Sequence, residues 1–590
     1  MNMCGIVGYV GKRKASEVLV DCLKKLEYRG YDSWGVATIG GGNLNLVKEV
    51  GMIERVEHIE LEGDIGIGHT RWATHGKVEK RNAHPHVDCS GKIALVHNGI
   101  ISNFEELRQE LKSRHNFLSD TDTECIAHLI EENYNGNLEE AFKKALKRVK
   151  GTYAIAVICK EEPDKILCAR RESPLLLGVG RGEMFIGSDI SSFLKFTNKA
   201  VALDDGEYAI IEKNGFVVKD LEYGNKIDKE IIEITWSPEV AEKQGFEHFM
   251  LKEIHEQPQT ITNALNIYPG DIKRLAEMIE ASEKVYLTGA GTSLHACIVA
   301  EYWFAKICRK PIVALDSSEL QEKAVIDRDT LVVGVTQSGE TYDTLAAMKY
   351  AKRKGARIGA IVNVIGSTAT RLADHVIMQA SGIEIAVCAT KTYTSQLVVL
   401  LRVAIELAKI RGIDVSRLEK ETSSLPSLIR EVLNQKDKIR DISSKLTTKN
   451  YLFIGRGINL PSALEAALKF KEITYLHAEG MSGGMLKHGT ISLIDEDMYT
   501  VAMIPAEGEN RSKTKSNIQE VKSRGGSVLG IISGENLAEC DESILIPTCN
   551  ELISPIVFAP AYQLLAYYKA VELGRNVDKP RALAKSVTVE

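Results

Sequence analysis

No two of the eleven cysteines stand as a C-x-x-C pair. That scatter argues against a zinc site and against a disulfide framework, and for a reducing cytosol as the setting. A long hydrophobic run is also lacking. The apolar N-terminal stretch is too short for a signal peptide, and no cleavage site follows it. Leu397 to Leu407, the most apolar later stretch, is interrupted by Arg402 and too short to span a bilayer. Neither sign of charge dominates: a net charge of −6 over 590 residues gives no reason to expect nucleic acid or membrane as a partner. What is present is 44% hydrophobic and 26% charged residues, the balance of a soluble globular protein. A chain of this length exceeds a single core, so about two to four domains are expected.

The first chemistry to look for lies at the start. Cys4 precedes an apolar strand pattern, Ile6 to Val10, bounded by Gly5 and Gly11. If Met1, Asn2 and Met3 are absent from the mature chain, the α-amine of Cys4 sits beside its own sulfur. An α-amine with a reference pKa of about 8 can take a proton from a thiol of about 8.5 near neutral pH.

Strand patterns recur at Ile65–His69, Ile93–His97, Tyr153–Ile158 and Met184–Gly187, with helices between them. Polar clusters follow the strand ends: Thr70 to Gly76, His97-Asn98-Gly99, and Ser119 to Glu124, where Thr121 or Thr123 can cap a helix. Singly these read as turns, caps and surface charge. Together they offer a cation for a carboxylate, an acid for an amine and amide donors for an oxyanion, the needs of an enzyme attacking the side-chain amide of a free amino acid. His84-Pro85-His86 has no carboxylate or cysteine at ligand spacing, so no metal is expected there.

These motifs, with Arg29-Gly30-Tyr31-Asp32-Ser33, resemble the class II glutamine amidotransferase domain. The resemblance implies an N-terminal-nucleophile fold, two antiparallel sheets between helix layers (αββα). It implies Cys4 as nucleophile and Asn98 with the Gly99 N–H as oxyanion hole. It further implies Arg71 on the glutamine α-carboxylate, Asp122 on its α-amine, and Trp72, Thr74 and His75 shaping and closing the pocket.

Beyond about residue 240 the pattern changes to short apolar runs alternating with helices, the signature of a doubly wound parallel sheet. A repeat is visible. Gly289-Ala-Gly291 and Gly455-Arg-Gly457 each end a strand and open a helix, and Leu294, Phe304 and Ile307 recur in step as Leu460, Phe470 and Ile473. Two copies of one α/β domain are expected. The first carries Thr292-Ser293 in one loop and Thr336-Gln337-Ser338-Gly339-Glu340-Thr341 in the other, hydroxyls and helix-start amides fit for a phosphate. The second has Pro505, Ala506, Glu507 and Asn510 at the matching places, and Glu507 would repel a phosphate. A dinucleotide fingerprint is the weaker reading, since Leu294 stands where its third glycine belongs.

Glu465, Lys469 and Glu472 share one helix face, either as a salt-bridged surface or as an acid–base set. His477 and Lys487-His488 follow that helix. By physics alone, Lys585 on the closing tail reads as solvated.

These stretches resemble tandem sugar isomerase domains. With the first region they cover nearly the whole chain, in the pattern of the isomerizing aminotransferases that move the amide nitrogen of glutamine to fructose 6-phosphate. The resemblance implies that Ser293, Thr336, Gln337, Ser338 and Thr341 hold the sugar phosphate, with Thr336 where serine is usual. Val387 and Ala584 contact the sugar through backbone groups. Lys585 forms a Schiff base, and Glu472, assisted by Lys469, moves the proton between C1 and C2. His488 assists ring opening from a neighbouring subunit, which implies a homodimer, and ammonia passes internally between the sites. No cofactor and no metal are implied, and the expected location is cytoplasmic.

The expected domains are 4–225 (amidotransferase), 226–250 (linker), 251–430 and 431–575 (sugar isomerase domains) and 576–590 (catalytic tail). Two alternatives stay open: amination of another ketose phosphate, and a non-enzymatic sugar-phosphate sensor.

Overall fold

The computed structural model describes residues 4–27, 30–72, 77–234 and 243–587. They form two compact units. One reaches residue 234 and includes 586 and 587; the other spans 243–585.

The first unit holds an eight-stranded and a seven-stranded antiparallel sheet. β1 (Gly5–Val10) lies inside the larger sheet and pairs with β2 (Ile65–Arg71). In the smaller sheet β3 (Ile93–Ile101) pairs with β4 (Gly151–Cys159). β3 and β4 are near-continuous apolar runs because both of their faces are buried. Ala94, Val96, Ala154, Ala156 and Ile158 face the layer shared with Ile6, Val10 and Ile67 of the larger sheet. The alternate residues Ile93, Leu95, Tyr153, Ile155 and Val157 face a second core. That core is completed by Ile130 of α1 (Glu124–Asn133) and by Phe142 and Leu146 of the helix Leu138–Arg148. Small alanines bring the sheets together, and larger side chains meet the helices. With the helix Ala15–Leu26 packed on β1 and β2, the order is helix, sheet, sheet, helix. Each fully buried aliphatic side chain contributes roughly 1.5–3 kcal/mol, which fixes strand register without a polar face. The short strands Lys226–Ile227 and Ile232–Glu233 still pair within these sheets.

The second unit holds two five-stranded parallel sheets. In chain order, the first copy contains β5 (Lys284–Gly289), α2 (Thr292–Lys306), β6 (Val313–Asp316), β7 (Thr330–Thr336), α3 (Tyr342–Arg353), β8 (Arg357–Val362) and β9 (His375–Met378). α4 (Lys391–Ile410) follows. The second copy contains β10 (Asn450–Gly455), α5 (Leu460–Thr474), β11 (His477–Ser482), β12 (Met498–Ile504), α6 (Gly508–Lys522), β13 (Ser527–Ser533), β14 (Glu542–Ile546) and α7 (Ser554–Glu572). The strand orders β6-β5-β7-β8-β9 and β11-β10-β12-β13-β14 are the same order. The repeat extends to the backbone: Gly291 and Gly457 open matching helices at φ 54° and 55°, a left-handed turn that glycine adopts without a Cβ clash.

The apolar stretch around Leu397–Leu407 is part of α4, a core helix, and Arg402 spends its guanidinium on the Ala264 and Ile267 carbonyls at 2.9 and 3.0 Å. No described helix is long and apolar enough to cross a membrane.

Candidate active sites

Cys4 sits at the head of β1, buried, beside the end of β2 because Gly5 pairs with Thr70. That register puts Arg71 and Trp72 next to the sulfur. The Trp72 amide donates to Cys4 Sγ at 3.3 Å, and the thiol faces the Trp72 carbonyl at 3.7 Å. Asn98 arrives from β3 in the other sheet. Its Nδ2 donates to the Cys4 carbonyl at 2.9 Å, and its Oδ1 accepts from His69 Nε2 at 3.0 Å. An amide nitrogen carries two hydrogens, so one remains for a ligand. Burial pushes His69 down to about 3, so it is a neutral donor that fixes the Asn98 rotamer.

Gly99 has φ 128°, and a Cβ there would lie 2.1 Å from the Thr152 carbonyl, so no other residue fits this bend in β3. Asp122 is buried, and its Oδ2 accepts from the Ile101 amide at 2.8 Å. Burial lowers the pKa of Arg71, while Cys4, Asp32 and Asp122 pull it the other way. Those opposing neighbours locate the group: Cys4, Arg71, Asn98 and Asp122 share one corner of the sandwich. Trp72 meets Tyr31 edge-on at 5.0 Å. Thr74, His75 and Met1 to Met3 lie outside the described residues.

One detail differs from the sequence reading. Thr123 occupies the N-cap position of α1 without capping it; its hydroxyl bonds His97 Nδ1 at 2.9 Å and Asp122 at 3.3 Å. Glu124 instead takes the Leu118 and Ser119 amides, both at 2.7 Å. His84 and His86 are core residues. His84 stacks on His69 at 4.1 Å, and burial holds both well below the ordinary histidine range.

In the second unit, the switch point between β5 and β7 is where a ligand is expected in such a sheet. There Thr336 and Thr341 hydroxyls meet at 3.2 Å, and Ser338 reaches Thr341 at 3.5 Å. The Gly339 amide donates to Thr336 Oγ1 and the Glu340 amide to Ser338 Oγ. This loop opens α3, so amides and hydroxyls converge at a helix start. Gln337 belongs to it, with its carbonyl taken by the Asn363 amide at 3.1 Å. Ser293 accepts from Gln396 at 3.1 Å, whereas Thr292 turns to Glu465. The matching loop of the second copy is closed internally: Arg511 donates to the Pro505 and Ser533 carbonyls, and Asn510 to Glu551.

The Glu465, Lys469 and Glu472 face is not a surface. Glu465 is 0% and Lys469 1% exposed. Lys469 Nζ lies 2.6 Å from Glu472 and 3.5 Å from Glu465. Burial works against the lysine charge, but the two carboxylates hold its pKa well above the ordinary value. The Cys388 thiol donates to Glu472 at 2.9 Å, and burial with that carboxylate keeps the thiol protonated.

Lys585 is not solvated either. Its side chain is 6% exposed and is ion-paired with Glu384, which is wholly buried. Burial would raise Glu384, but Lys585 and hydrogen bonds from Thr390 and Thr392 outweigh it and hold the carboxylate down. Asp578 fastens the tail: its carboxylate caps the Phe249 and Met250 amides at 2.9 and 2.8 Å, and its carbonyl accepts from Val387 N. That bond ties half-buried Val387 to the tail, and half-buried Ala584 sits beside Lys585. His488 is exposed, on the turn Gly483–His488. Sequence reasoning missed Glu384, Glu253, the role of Cys388, and His295, whose Nδ1 bonds Glu465 at 2.7 Å, because nothing local to them signals a site.

Glu253 is buried near this pair, with Oε1 accepting from the Ile385 and Ala386 amides. Burial, then the charge of Glu384, pushes its carboxyl up to about 8. Unfolded, it titrates near 4.3. Between about pH 5 and 8 the folded chain keeps a proton that the unfolded chain has released, so stability falls as pH rises. Glu253→Gln is expected to match wild type near pH 5 and to melt several degrees higher at pH 8, read from thermal melts across pH. Parallel curves would refute it.

The chain matches the glutamine amidotransferase domain family over residues 69–195 and the SIS domain family twice, over 278–406 and 447–573. It is 52% identical over 603 residues to a glutamine–fructose-6-phosphate aminotransferase [isomerizing] of Methanococcus maripaludis, covering 100% of both chains. It is 50% identical over 599 residues to the protein of the same name from Pyrococcus horikoshii, again covering 100% of both. Among solved structures, it resembles the C-terminal domain of glucosamine-fructose-6-phosphate aminotransferase from Francisella tularensis. The TM-score is 0.54 at 33% identity, over 57% of this chain and 99% of that one.

Proposed function

The chain belongs to the glutamine–fructose-6-phosphate aminotransferase (isomerizing) family, and on that premise we propose how its residues divide the work. The enzyme transfers the amide nitrogen of glutamine to fructose 6-phosphate with ketose-to-aldose isomerisation, giving glucosamine 6-phosphate and glutamate. The observation that carries the division is Lys585, a buried amine held by Glu384 in a unit that also presents a hydroxyl cradle. A glutaminase or an anion-binding module alone has no use for it.

In the first unit, Arg71 receives the α-carboxylate of glutamine and Asp122 its α-amine. Trp72, Thr74 and His75 shape and close the pocket. Cys4 Sγ attacks the γ-amide carbon, and the α-amine of Cys4, exposed once residues 1–3 are removed, takes the thiol proton. The spare Asn98 hydrogen and the Gly99 N–H receive the oxyanion. Ammonia leaves, and water cleaves the thioester to give glutamate and the free thiol.

In the second unit, Ser293, Thr336, Gln337, Ser338 and Thr341 hold the phosphate, while the Val387 carbonyl and Ala584 backbone orient the sugar. His488 of a second subunit assists ring opening, which makes the working enzyme a homodimer. Lys585 Nζ adds to the C2 carbonyl and releases water. Ammonia delivered internally displaces the lysine, because in bulk water near pH 7 it would be protonated and inert. Glu472, set by Lys469 and Cys388, carries the proton from C1 to C2. None of the eleven cysteines, all among the described residues, is in a disulfide, which suits a cytoplasmic setting. Amination of another ketose phosphate and a sensor role are the weaker readings for a chain with full-length relatives of this name.

The test is isotopic. With amide-15N glutamine and fructose 6-phosphate, the label is expected on C2 of an aminated hexose phosphate, one per glutamate formed. Label found only as free ammonium would overturn the proposal.

A further inference from the structure

We propose that the first unit carries a structural zinc site made by Cys89, His115, His128 and Glu131. One donor atom from each lies within 4.8 Å of all the others. Cys89 Sγ is 3.6 Å from His115 Nδ1 and 3.6 Å from His128 Nδ1. Glu131 Oε2 is 3.0 Å from His115 Nδ1 and 3.2 Å from His128 Nδ1. Zinc bonds of about 2.3 Å to sulfur and about 2.0–2.1 Å to nitrogen or oxygen, at tetrahedral angles, set these edges at about 3.6 Å for S···N and about 3.3 Å for N···O. The two S···N edges match that tetrahedron, the two N···O edges are slightly shorter than it, and the remaining two pairs lie within 4.8 Å.

The surroundings fit the same ion. The outer nitrogen of each histidine faces a further carboxylate without a formed hydrogen bond: His115 Nε2 lies 3.4 Å from Glu132, and His128 Nε2 lies 3.8 Å from Glu124. A carboxylate on the outer nitrogen orients an imidazole that binds metal through the inner one. The Asn116 amide donates to Cys89 Sγ at 3.4 Å, a stabilising contact for a thiolate. One thiolate, two imidazoles and one carboxylate suit zinc, and harder cations reject the sulfur. Four protein ligands leave no open position, so the ion is structural and does no chemistry. Binding displaces the thiol proton to solvent. Cys89 is exposed, which gives the ion a way in.

The site joins three segments: the tip before β3, the loop after the helix Phe104–Leu111, and α1. α1 is entered through Asp122, and β3 carries Asn98. The ion therefore braces the scaffold of the glutamine pocket from outside it. Motif spacing argues against zinc here because the ligands come from separate segments and only His128 and Glu131 are close in sequence.

The test uses the full-length protein. Purified from zinc-containing medium and desalted, it is expected to hold about one zinc per chain by mass spectrometry of the metal. Stripped with chelator and titrated with Co2+, it should show the visible bands of tetrahedral cobalt and a near-ultraviolet thiolate-to-cobalt band. Cys89→Ser, at an exposed position, should lose the near-ultraviolet band and the bound zinc while its circular dichroism stays native. His115→Gln should also lose the zinc. A wild-type chain without stoichiometric zinc and without cobalt bands overturns the site, as does a near-ultraviolet band that persists in Cys89→Ser.

Discussion

Cys4→Ala is expected to abolish glutamine-dependent synthesis, by at least about 10³-fold, while fructose 6-phosphate is still isomerised to the aldose phosphate in the same sample. The geometry makes this a clean deletion. Two of the contacts that tie residue 4 to the sandwich run through its backbone: its carbonyl accepts from Asn98, and β1 begins at the next residue, while the sulfur meets the Trp72 backbone. Alanine keeps both backbone contacts, so Asn98 stays in place, and what is lost is the sulfur with its contacts to the Trp72 backbone. The buried sulfur contributes about 1 kcal/mol of packing, too little to unfold the unit. Glutamate release and sugar isomerisation should be measured side by side, with Cys4→Ser as a weaker-nucleophile control. Equal loss of both activities would sink the division into two sites.

The fold was legible in the sequence where periodicity carries the information. β3 and β4 read as unbroken apolar runs because they lie between two layers, and the βαβ alternation after residue 240 gave both parallel sheets. Gly289-Ala-Gly291 and Gly455-Arg-Gly457 gave the repeat, since each marks the same left-handed turn. The loops of the first unit were legible as a set because several chemistries fell at strand ends at once. Burial was not legible. Glu465, Lys469 and Glu472 share a helix face in either reading, and only tertiary packing decides whether that face meets water. Lys585 looked solvated because its partner, Glu384, lies 201 residues away. The Cys89 cluster escaped for the same reason: no spacing rule joins a hairpin tip, a loop and a helix.

Lys585→Arg is expected to remove sugar isomerisation and amination by about 10³-fold or more, while glutamine hydrolysis at Cys4 survives. Arginine preserves the positive charge beside Glu384, but a guanidinium stays protonated and forms no imine with a ketone. Lys585→Ala makes the contrasting case. It strands Glu384, buried and unpaired, and removing one partner of such a pair costs about 3–5 kcal/mol. The alanine variant should therefore lose the same activity and also melt lower, with the arginine variant close to wild type in stability. Borohydride treatment with fructose 6-phosphate should add the reduced sugar to Lys585 in wild type and leave Lys585→Arg unmodified. Because the arginine variant keeps the ion pair and loses only the primary amine, sugar turnover that survived in it would show that Lys585 acts through its charge, and the covalent route would have to be abandoned.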